Sequence, residues 1–183
     1  MGSGKTVVGR RAAQQLGVPF VDLDDVIVES AGVSIVDIFR RGGEAEFRRL
    51  ESEALRRVLA GRGQLVALGG GAVMNDDNWH LACDDNLVVR LKASPRAILR
   101  RIRAREERRD ESGRRPRNIR PLADVDPDSR RWPEAQRSRV LQLMAEREAR
   151  YHQASIQLDT TGEDISEVVD EVVGLARAAG INR

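Results

Sequence analysis

A glycine-rich segment at the start of the chain, Gly2-Ser3-Gly4-Lys5-Thr6, constrains the fold more than any other feature. It matches the second half of the phosphate-binding pattern G-x-x-x-x-G-K-[ST], in which backbone N–H groups surround phosphates at the start of a helix. The alternative is a glycine-rich turn with a surface lysine. Composition favours the phosphate loop, because the chain has 29 arginines but only two lysines, Lys5 and Lys92. A compact ammonium at this point suits a phosphate.

A phosphate loop of this kind starts from the carboxyl end of a buried strand. No strand-like run precedes Gly2, so we expect the central strand of the sheet to be missing ahead of Met1. Without that strand its neighbours would bury unpaired backbone N–H and C=O groups. We therefore expect that the recorded start is an internal methionine. A truncated and weakened protein is the alternative.

The rest of the chain alternates between short apolar runs and longer amphipathic runs, which is the pattern of a parallel α/β protein. This predicts an α/β fold of the P-loop type, a three-layer sandwich around a central parallel sheet. The expected strands are 19–22, 65–68, 86–91 and 156–158. The expected helices cover 5–16, 35–39, a stretch after Gly43, a stretch from Pro95, 134–152 and a stretch from Asp164.

We expect residues 1–183 to form a single domain with two specialised segments. Residues 24–60 are expected to form a helical substrate-binding segment, and residues 105–131 a mobile lid or insert. The second segment holds nine arginines and seven acids with scarcely an apolar residue. Its alternative interpretation is a disordered charged insert.

Composition argues against several classes of protein. The hydrophobic content is 40% without a long apolar run, so a membrane-spanning helix is not expected. The polar N-terminus does not resemble a signal peptide. Cys83 is the only cysteine, so we expect no disulfide framework and a cytoplasmic location. The net charge is +2 and aromatics make up 3%, so we expect no nucleic-acid partner. A monomer is expected.

Two carboxylates follow the first strand-like run after the phosphate loop. Alternation along an extended Asp22-Leu23-Asp24 segment would place both on the same side, at the sheet edge where phosphates would lie. One carboxylate there can support Mg²⁺ and the other can accept a hydroxyl proton. The alternative is that Asp24 or Asp25 caps the following helix.

Two further features suggest a ligand. Arg48 lies on a helix whose apolar face carries Phe47, Leu50 and Ala54, although a single arginine on such a helix is usually solvated. Gly69-Gly70-Gly71 follows a buried strand directly. Three glycines cost backbone entropy, so close approach of a ligand to their N–H groups explains them better than a bare turn.

In this order the motifs resemble the shikimate kinase family over nearly the whole chain. The matching stretches are Gly2–Thr6, Asp22–Asp24, the G-E-A-E-F-R-R-L-E segment of residues 43–51, the L-G-G-G-A-V segment of residues 68–73, an Arg-Pro in the lid, and Arg147 before Tyr151. The segments of residues 43–51 and 68–73 together are far more specific than the phosphate loop. The resemblance implies ATP-dependent phosphorylation of the 3-hydroxyl of shikimate, a step towards chorismate and the aromatic amino acids.

The resemblance also implies roles for individual residues. Lys5 and the loop would bind ATP, Thr6 would bind Mg²⁺, and Asp22 would support the metal. Asp24 would hold the reacting hydroxyl as the candidate base. The implied ATP-binding set is Gly2, Ser3, Gly4, Lys5, Thr6, Val7 and Arg120; the implied shikimate-binding set is Asp24, Arg48, Gly69, Gly70, Gly71 and Arg147; and the implied catalytic set is Lys5, Asp24 and Arg120. An arginine fork suits the carboxylate of shikimate.

The lid departs from the family pattern. An Arg-Pro whose arginine reaches the ATP phosphates could be Arg115-Pro116 or Arg120-Pro121-Leu122, and the leucine favours Arg120. The stretch from there to Arg147 is longer than usual. Asp159-Thr160 falls where the family places its adenine loop, although the D-T-T signal is weak.

Two other functions stay open at this point. One is a P-loop nucleotide-binding module that has lost turnover, and the other is a kinase of a different small hydroxylated acid such as gluconate. Retention of Lys5, Thr6, Asp24, Arg48 and Arg147 favours an active shikimate kinase, because a degenerate site would be expected to lose some of these charged groups.

Overall fold

The structure, a computed structural model, describes residues 2–112 and 132–181. Short strands alternate with helices along these residues, as the pattern of apolar runs predicts. The elements are α1 (Lys5–Leu16), β1 (Phe20–Asp22), α2 (Leu23–Ala31), α3 (Ile35–Leu59), β2 (Leu65–Ala67), a 3₁₀ turn (Ala72–Met74), α4 (Asp76–Cys83), β3 (Val89–Lys92), α5 (Pro95–Ser112), α6 (Trp132–Tyr151), β4 (Ile156–Asp159) and α7 (Ile165–Ala178).

The described strands form two parallel pairs. β1 pairs with β2, with Phe20 opposite Leu65, and β3 pairs with β4, with Val89 opposite Ile156. Each strand is followed by a helix or a turn leading into one, which is the connection that parallel pairing requires. The predicted α/β fold with parallel strands is therefore confirmed, and the carboxyl ends of β1 and β2 meet at one edge.

A cavity of about 860 Å³ separates the two strand pairs. Every residue of β2 and of β3 lines it. Because successive side chains of a strand point to opposite faces, a run of consecutive lining residues means that the cavity borders the free edges of both strands.

Helix α1 packs against α7 through small and β-branched residues. Val8, Ala12 and Leu16 contact Val169 and Val173, and all five are buried. Val7 of the same helix is instead 47% exposed. Val7 and Val8 are consecutive residues, and the rotation between neighbouring residues of a helix places Val7 outside the face that α7 covers.

The expected helical segment of residues 24–60 consists of α2 packed on α3. Phe47 and Leu55 of α3 and Leu23 and Ile27 of α2 are all essentially inaccessible to solvent. The two helices expected on either side of Gly43 form one kinked helix. Gly43 has φ 67° and ψ −169°, a conformation that interrupts the helix and that side chains rarely allow.

The first residues of the charged segment are helical. Residues 105–112, expected within the lid, continue α5, which has Ala97 and Ile98 in a core cluster with Val140. Arginine and glutamate are good helix formers, so a run without apolar residues can still extend an anchored helix. The remainder of the expected lid, residues 113–131, lies outside the described residues.

Among the helices described, none has an apolar stretch long enough to span a bilayer.

Candidate active site

The loop before α1 has the backbone shape of an anion receptor. Gly2 and Gly4 have φ of 70° and 96°, whereas Ser3 between them is not among the residues with positive φ. Alternation of left-handed and right-handed residues turns successive N–H groups towards the same side. Helix α1 starts at Lys5, whose Nζ lies 3.5 Å from Ser3 Oγ. The loop, the helix N-terminus and Lys5 together have the backbone shape and the positive charge that suit a phosphate.

Two residues that the sequence did not single out for this role contact the back of the loop. Arg101 Nη1 donates to the Gly2 carbonyl at 3.2 Å and to Thr160 Oγ1 at 2.9 Å. Thr160 Oγ1 in turn donates to the Ser3 carbonyl at 3.2 Å. Among 29 arginines Arg101 had no distinguishing signal, and Thr160 was noticed only within the weak D-T-T match.

Asp22, the last residue of β1, lies beside the phosphate loop. Thr6 Oγ1 donates to Asp22 Oδ2 at 2.9 Å, and the backbone N–H of Asp24 donates to Asp22 Oδ1 at 3.1 Å. Asp22 is thus the N-cap of α2. The expected extended segment is wrong, because the strand ends at Asp22 and Asp24 lies in the first turn of α2. The alternative, in which Asp24 or Asp25 serves as cap, is also wrong.

Thr6 and Asp22 together fit a magnesium ion. Both offer oxygen, the donor that Mg²⁺ prefers, and two protein ligands leave positions for water and phosphate. Burial raises the pKa of Asp22 above its ordinary value, while the hydrogen bonds from Thr6 and Asp24 act in the opposite direction. A neighbouring cation would favour the charged carboxylate and offset the effect of burial.

Arg48 lies between two carboxylates of its own helix. Its Nη1 donates to Oε2 of the buried Glu51 at 2.6 Å. Its Nε and Nη2 donate to one oxygen of the exposed Glu44, at 3.2 Å and 2.9 Å. The guanidinium also lies over the Phe47 ring, 5.4 Å from its centroid. These contacts hold Arg48 in one orientation, so the interpretation as a loosely solvated arginine does not apply.

The glycine segment after β2 lies directly against two arginines. A Cβ at Gly71 would be 2.3 Å from Nη1 of Arg48, and a Cβ at Gly70 would be 3.0 Å from Nη1 of Arg147. A side chain at Gly71 would therefore require the Arg48 guanidinium to move, and one at Gly70 would crowd that of Arg147. The structure thereby brings Arg48, Gly70, Gly71 and Arg147 close together, which is the arrangement that the resemblance implies.

Tyr151 fixes the position of this glycine segment. Its hydroxyl donates to the Gly70 carbonyl at 2.9 Å, and the guanidinium of Arg90 lies 5.2 Å from the centre of its ring. Arg90 also pairs with Glu148 at 2.7 Å. Tyr151 was noticed in the sequence only as a neighbour of Arg147. Its hydrogen bond joins α6, which carries Arg147, to the glycine segment.

The remaining predicted residues are placed as follows. The cavity between the strand pairs reaches the site at its edge, where Lys5, Gly69, Gly70 and Arg147 line it. Its lining does not include Asp24 or Arg48, which lie on the α2–α3 side of the site. The lid candidates Arg115 and Arg120 fall outside the described residues.

Comparison with known proteins shows extensive similarity. The model of the shikimate kinase family matches residues 1–176. A shikimate kinase from Geobacter sulfurreducens is 41% identical over 177 residues, which is 97% of this chain and 87% of that protein. A solved shikimate kinase from Acinetobacter baumannii in complex with shikimate has a TM-score of 0.79 at 27% identity, covering 97% of this chain and 89% of that chain. For the shikimate kinase from Bacteroides thetaiotaomicron the TM-score is 0.80 at 28% identity, covering 97% and 94%.

Proposed function

Because the chain belongs to the shikimate kinase family, we propose that its own residues carry out the family's reaction in the roles given below. The reaction is the phosphorylation of shikimate by ATP. We propose the 3-hydroxyl as the acceptor. The observation that carries the assignment of residues is the group formed by Arg48, Arg147 and the Gly70–Gly71 backbone, on the same side of the fold as the phosphate loop.

In this proposal the ATP phosphates occupy the loop ahead of α1. The N–H groups of Gly2–Thr6 and the helix N-terminus face the β- and γ-phosphates, and the ammonium of Lys5 balances their charge. Val7 contributes through its backbone at the first turn of α1, because its side chain is exposed. Thr6 and Asp22 would hold Mg²⁺, which when bound neutralises charge on the phosphoryl group.

The proposed acceptor site is built for a small carboxylic acid. Arg48 and Arg147 would bind the carboxylate of shikimate, because a guanidinium recognises a carboxylate through two parallel hydrogen bonds. The N–H groups of Gly69–Gly71 would bind its hydroxyls. Asp24, in the first turn of α2, would orient the reacting hydroxyl and accept its proton.

Catalysis in this arrangement comes from positioning and charge. The phosphoryl group moves between two oxygens that must be in line, so the loop and the acceptor site have to be held at a constant separation. Asp22 links them, since it contacts Thr6 of the loop and caps the helix that carries Asp24. We propose that the Arg120 guanidinium completes the charge neutralisation from the lid, with Arg115 as the alternative.

The proposed working unit is one monomeric chain acting in the cytoplasm, where ATP is supplied. The residues assigned to phosphate and to shikimate all come from the same chain. The proposed single domain comprises residues 1–183, with 24–60 as the substrate-binding segment and 105–131 as the lid.

The direct test is a coupled assay of ADP formation with shikimate and, separately, with gluconate as acceptor. We expect ATP-dependent turnover with shikimate and none with gluconate. ATP binding without turnover on shikimate would overturn the proposal and would favour a nucleotide-binding module.

Variants with matched controls test the roles. Lys5→Met should lower kcat by about a hundredfold or more, whereas Lys92→Met, which changes the only other lysine, should stay within about twofold. Arg48→Ala should raise KM for shikimate roughly 10- to 100-fold, because it removes a charge-assisted hydrogen-bonding partner. The neighbouring Arg49→Ala is the control. An unchanged KM in Arg48→Ala would show that Arg48 does not bind shikimate.

A further inference from the structure

Thr160 connects the last strand to the phosphate loop. It follows β4 directly and is only 4% exposed, and its N–H donates to the Lys92 carbonyl at 2.8 Å. Its hydroxyl donates to the Ser3 carbonyl at 3.2 Å and accepts from Arg101 Nη1 at 2.9 Å. Its own carbonyl accepts from Arg101 Nη2 at 2.5 Å. The hydroxyl therefore uses its proton and one of its two acceptor positions in these contacts.

The direction of these bonds has a consequence for the loop. A trans peptide is planar, so a carbonyl and the following N–H point in opposite directions. The Gly2 carbonyl is held by Arg101 and the Ser3 carbonyl by Thr160. The N–H groups of Ser3 and Gly4 must then point away from Arg101 and Thr160, towards the concave side of the loop. Successive N–H groups on one side form an anion-binding nest.

We propose that Thr160 is a positioning residue for the phosphate loop. By holding the Ser3 carbonyl, its hydroxyl keeps the loop in the shape that binds the ATP phosphates before ATP arrives. The proposal rests on the proposed function, since it assumes that the loop binds phosphate. Thr160 would thus support phosphate binding through the Ser3 carbonyl, although the sequence resemblance places an adenine loop at this position.

The burial of Thr160 supports a role through the loop. The hydroxyl is enclosed and already bonded to Ser3 and Arg101, so it has little capacity left for a base. The next residue, Thr161, is exposed and accepts a hydrogen bond from Ser94 N at 2.8 Å, at the start of α5. The two threonines thus differ in a way that provides a matched pair for experiment.

The experiment compares Thr160→Val, Thr160→Ser and Thr161→Val with the unaltered protein. Valine keeps the shape of threonine but has no hydroxyl, and serine restores the hydroxyl. Titration calorimetry in the presence of Mg²⁺ would measure the dissociation constants of ATP, inorganic tripolyphosphate and adenosine, and steady-state assays would measure KM for shikimate.

We expect Thr160→Val to weaken ATP and tripolyphosphate by the same factor, roughly fivefold, as for loss of one ordinary hydrogen bond. Adenosine affinity and KM for shikimate should stay within twofold. Thr160→Ser should recover most of the loss, and Thr161→Val should bind tripolyphosphate normally. If Thr160 served only to stabilise the fold, Thr160→Val would be expected to impair tripolyphosphate affinity and KM for shikimate alike.

Unchanged tripolyphosphate affinity in Thr160→Val would overturn the proposal, and so would a loss confined to adenosine. If valine prevents folding, Thr160→Ala supplies the same comparison without a branched side chain. The proposed function is tested separately by the unaltered protein. If that protein binds no tripolyphosphate, the assignment of the phosphate loop is wrong. If Thr160→Val binds tripolyphosphate as the unaltered protein does, only the proposed role of Thr160 is wrong.

Discussion

Arg48 and Arg49 are neighbours with two carboxylate partners each, yet their removal should affect folding very differently. Arg48→Ala takes a guanidinium away from Glu51, which is 1% exposed. Arg49→Ala takes one away from Glu46 and Glu53, which are 39% and 53% exposed. We expect Arg48→Ala to lower the free energy of unfolding several times more than Arg49→Ala does.

The magnitudes follow from burial. Each exposed pair on a helix is worth about 0.3 to 0.5 kcal/mol, so Arg49→Ala should cost less than about 1 kcal/mol. Removing one partner of a fully buried pair costs about 3 to 5 kcal/mol. Arg48 is 35% exposed, so water replaces part of the lost interaction, and we expect a cost of about 2 to 3 kcal/mol.

Urea unfolding without ligands would measure the free energy of unfolding of both variants. Its slope against urea concentration should be the same in each variant as in the unaltered protein. With a slope of about 2 kcal/mol per molar urea, Arg48→Ala should shift the midpoint down by about 1 M and Arg49→Ala by less than about 0.5 M. Arg48→Ala/Glu51→Gln should recover about half of the loss, because the buried charge is then absent. Equal shifts in the two single variants would refute the reasoning, as would a double variant no more stable than Arg48→Ala.

Three further predictions concern other residues. Since burial raises the pKa of Asp22, its contribution to stability is present below the ordinary carboxyl pKa and is lost as the pH rises through the raised value. Asp22→Asn should therefore gain stability relative to the unaltered protein between about pH 4 and pH 7, in urea unfolding without Mg²⁺; a free energy of unfolding that falls relative to that of the unaltered protein over this range would contradict this. Gly174→Ala should stabilise by about 0.5 to 1 kcal/mol in thermal unfolding, because Gly174 lies within α7 and a Cβ there meets nothing within 4 Å; a lower midpoint would be contrary evidence. If the carboxylate of shikimate displaces Glu44 from Nε and Nη2 of Arg48, Glu44→Gln should leave KM for shikimate unchanged or lower it, because the competing carboxylate is weakened; a tenfold increase of KM in steady-state assays would argue against this displacement.

The sequence predicts those parts of the fold and site that depend on local pattern. The phosphate loop, the alternation of strands and helices, and the glycine run Gly69–Gly71 are recognisable from spacing and residue type, whereas the role of Arg48 is implied only by the resemblance to the family. Parallel pairing then brings Asp22 and the glycine segment to the same sheet edge. These features need no knowledge of distant contacts.

Contacts between residues far apart in sequence were not predictable in this way. Thr160 meets Ser3 across 157 positions, and nothing in a D-T-T triplet indicates that its hydroxyl faces a loop carbonyl. The role of Asp22 as a cap was missed for a different reason. Strand and helix adjoin without a linker there, so alternation along an extended chain stops at Asp22, two residues earlier than expected.

The two carboxylates on Arg48 explain how a residue can be rigid and still available to a ligand. The buried Glu51 occupies Nη1 and fixes the plane of the guanidinium. Glu44, which is exposed, occupies the Nε and Nη2 edge with a single oxygen. Exchange of this weak surface pair for the carboxylate of shikimate costs little, because an exposed pair contributes only about 0.3 to 0.5 kcal/mol. The orientation imposed by Glu51 would survive that exchange. In the proposed site, the buried pair with Glu51 therefore sets the orientation of Arg48. The exposed pair with Glu44 is weak, so the Nε and Nη2 groups of Arg48 can exchange Glu44 for the ligand.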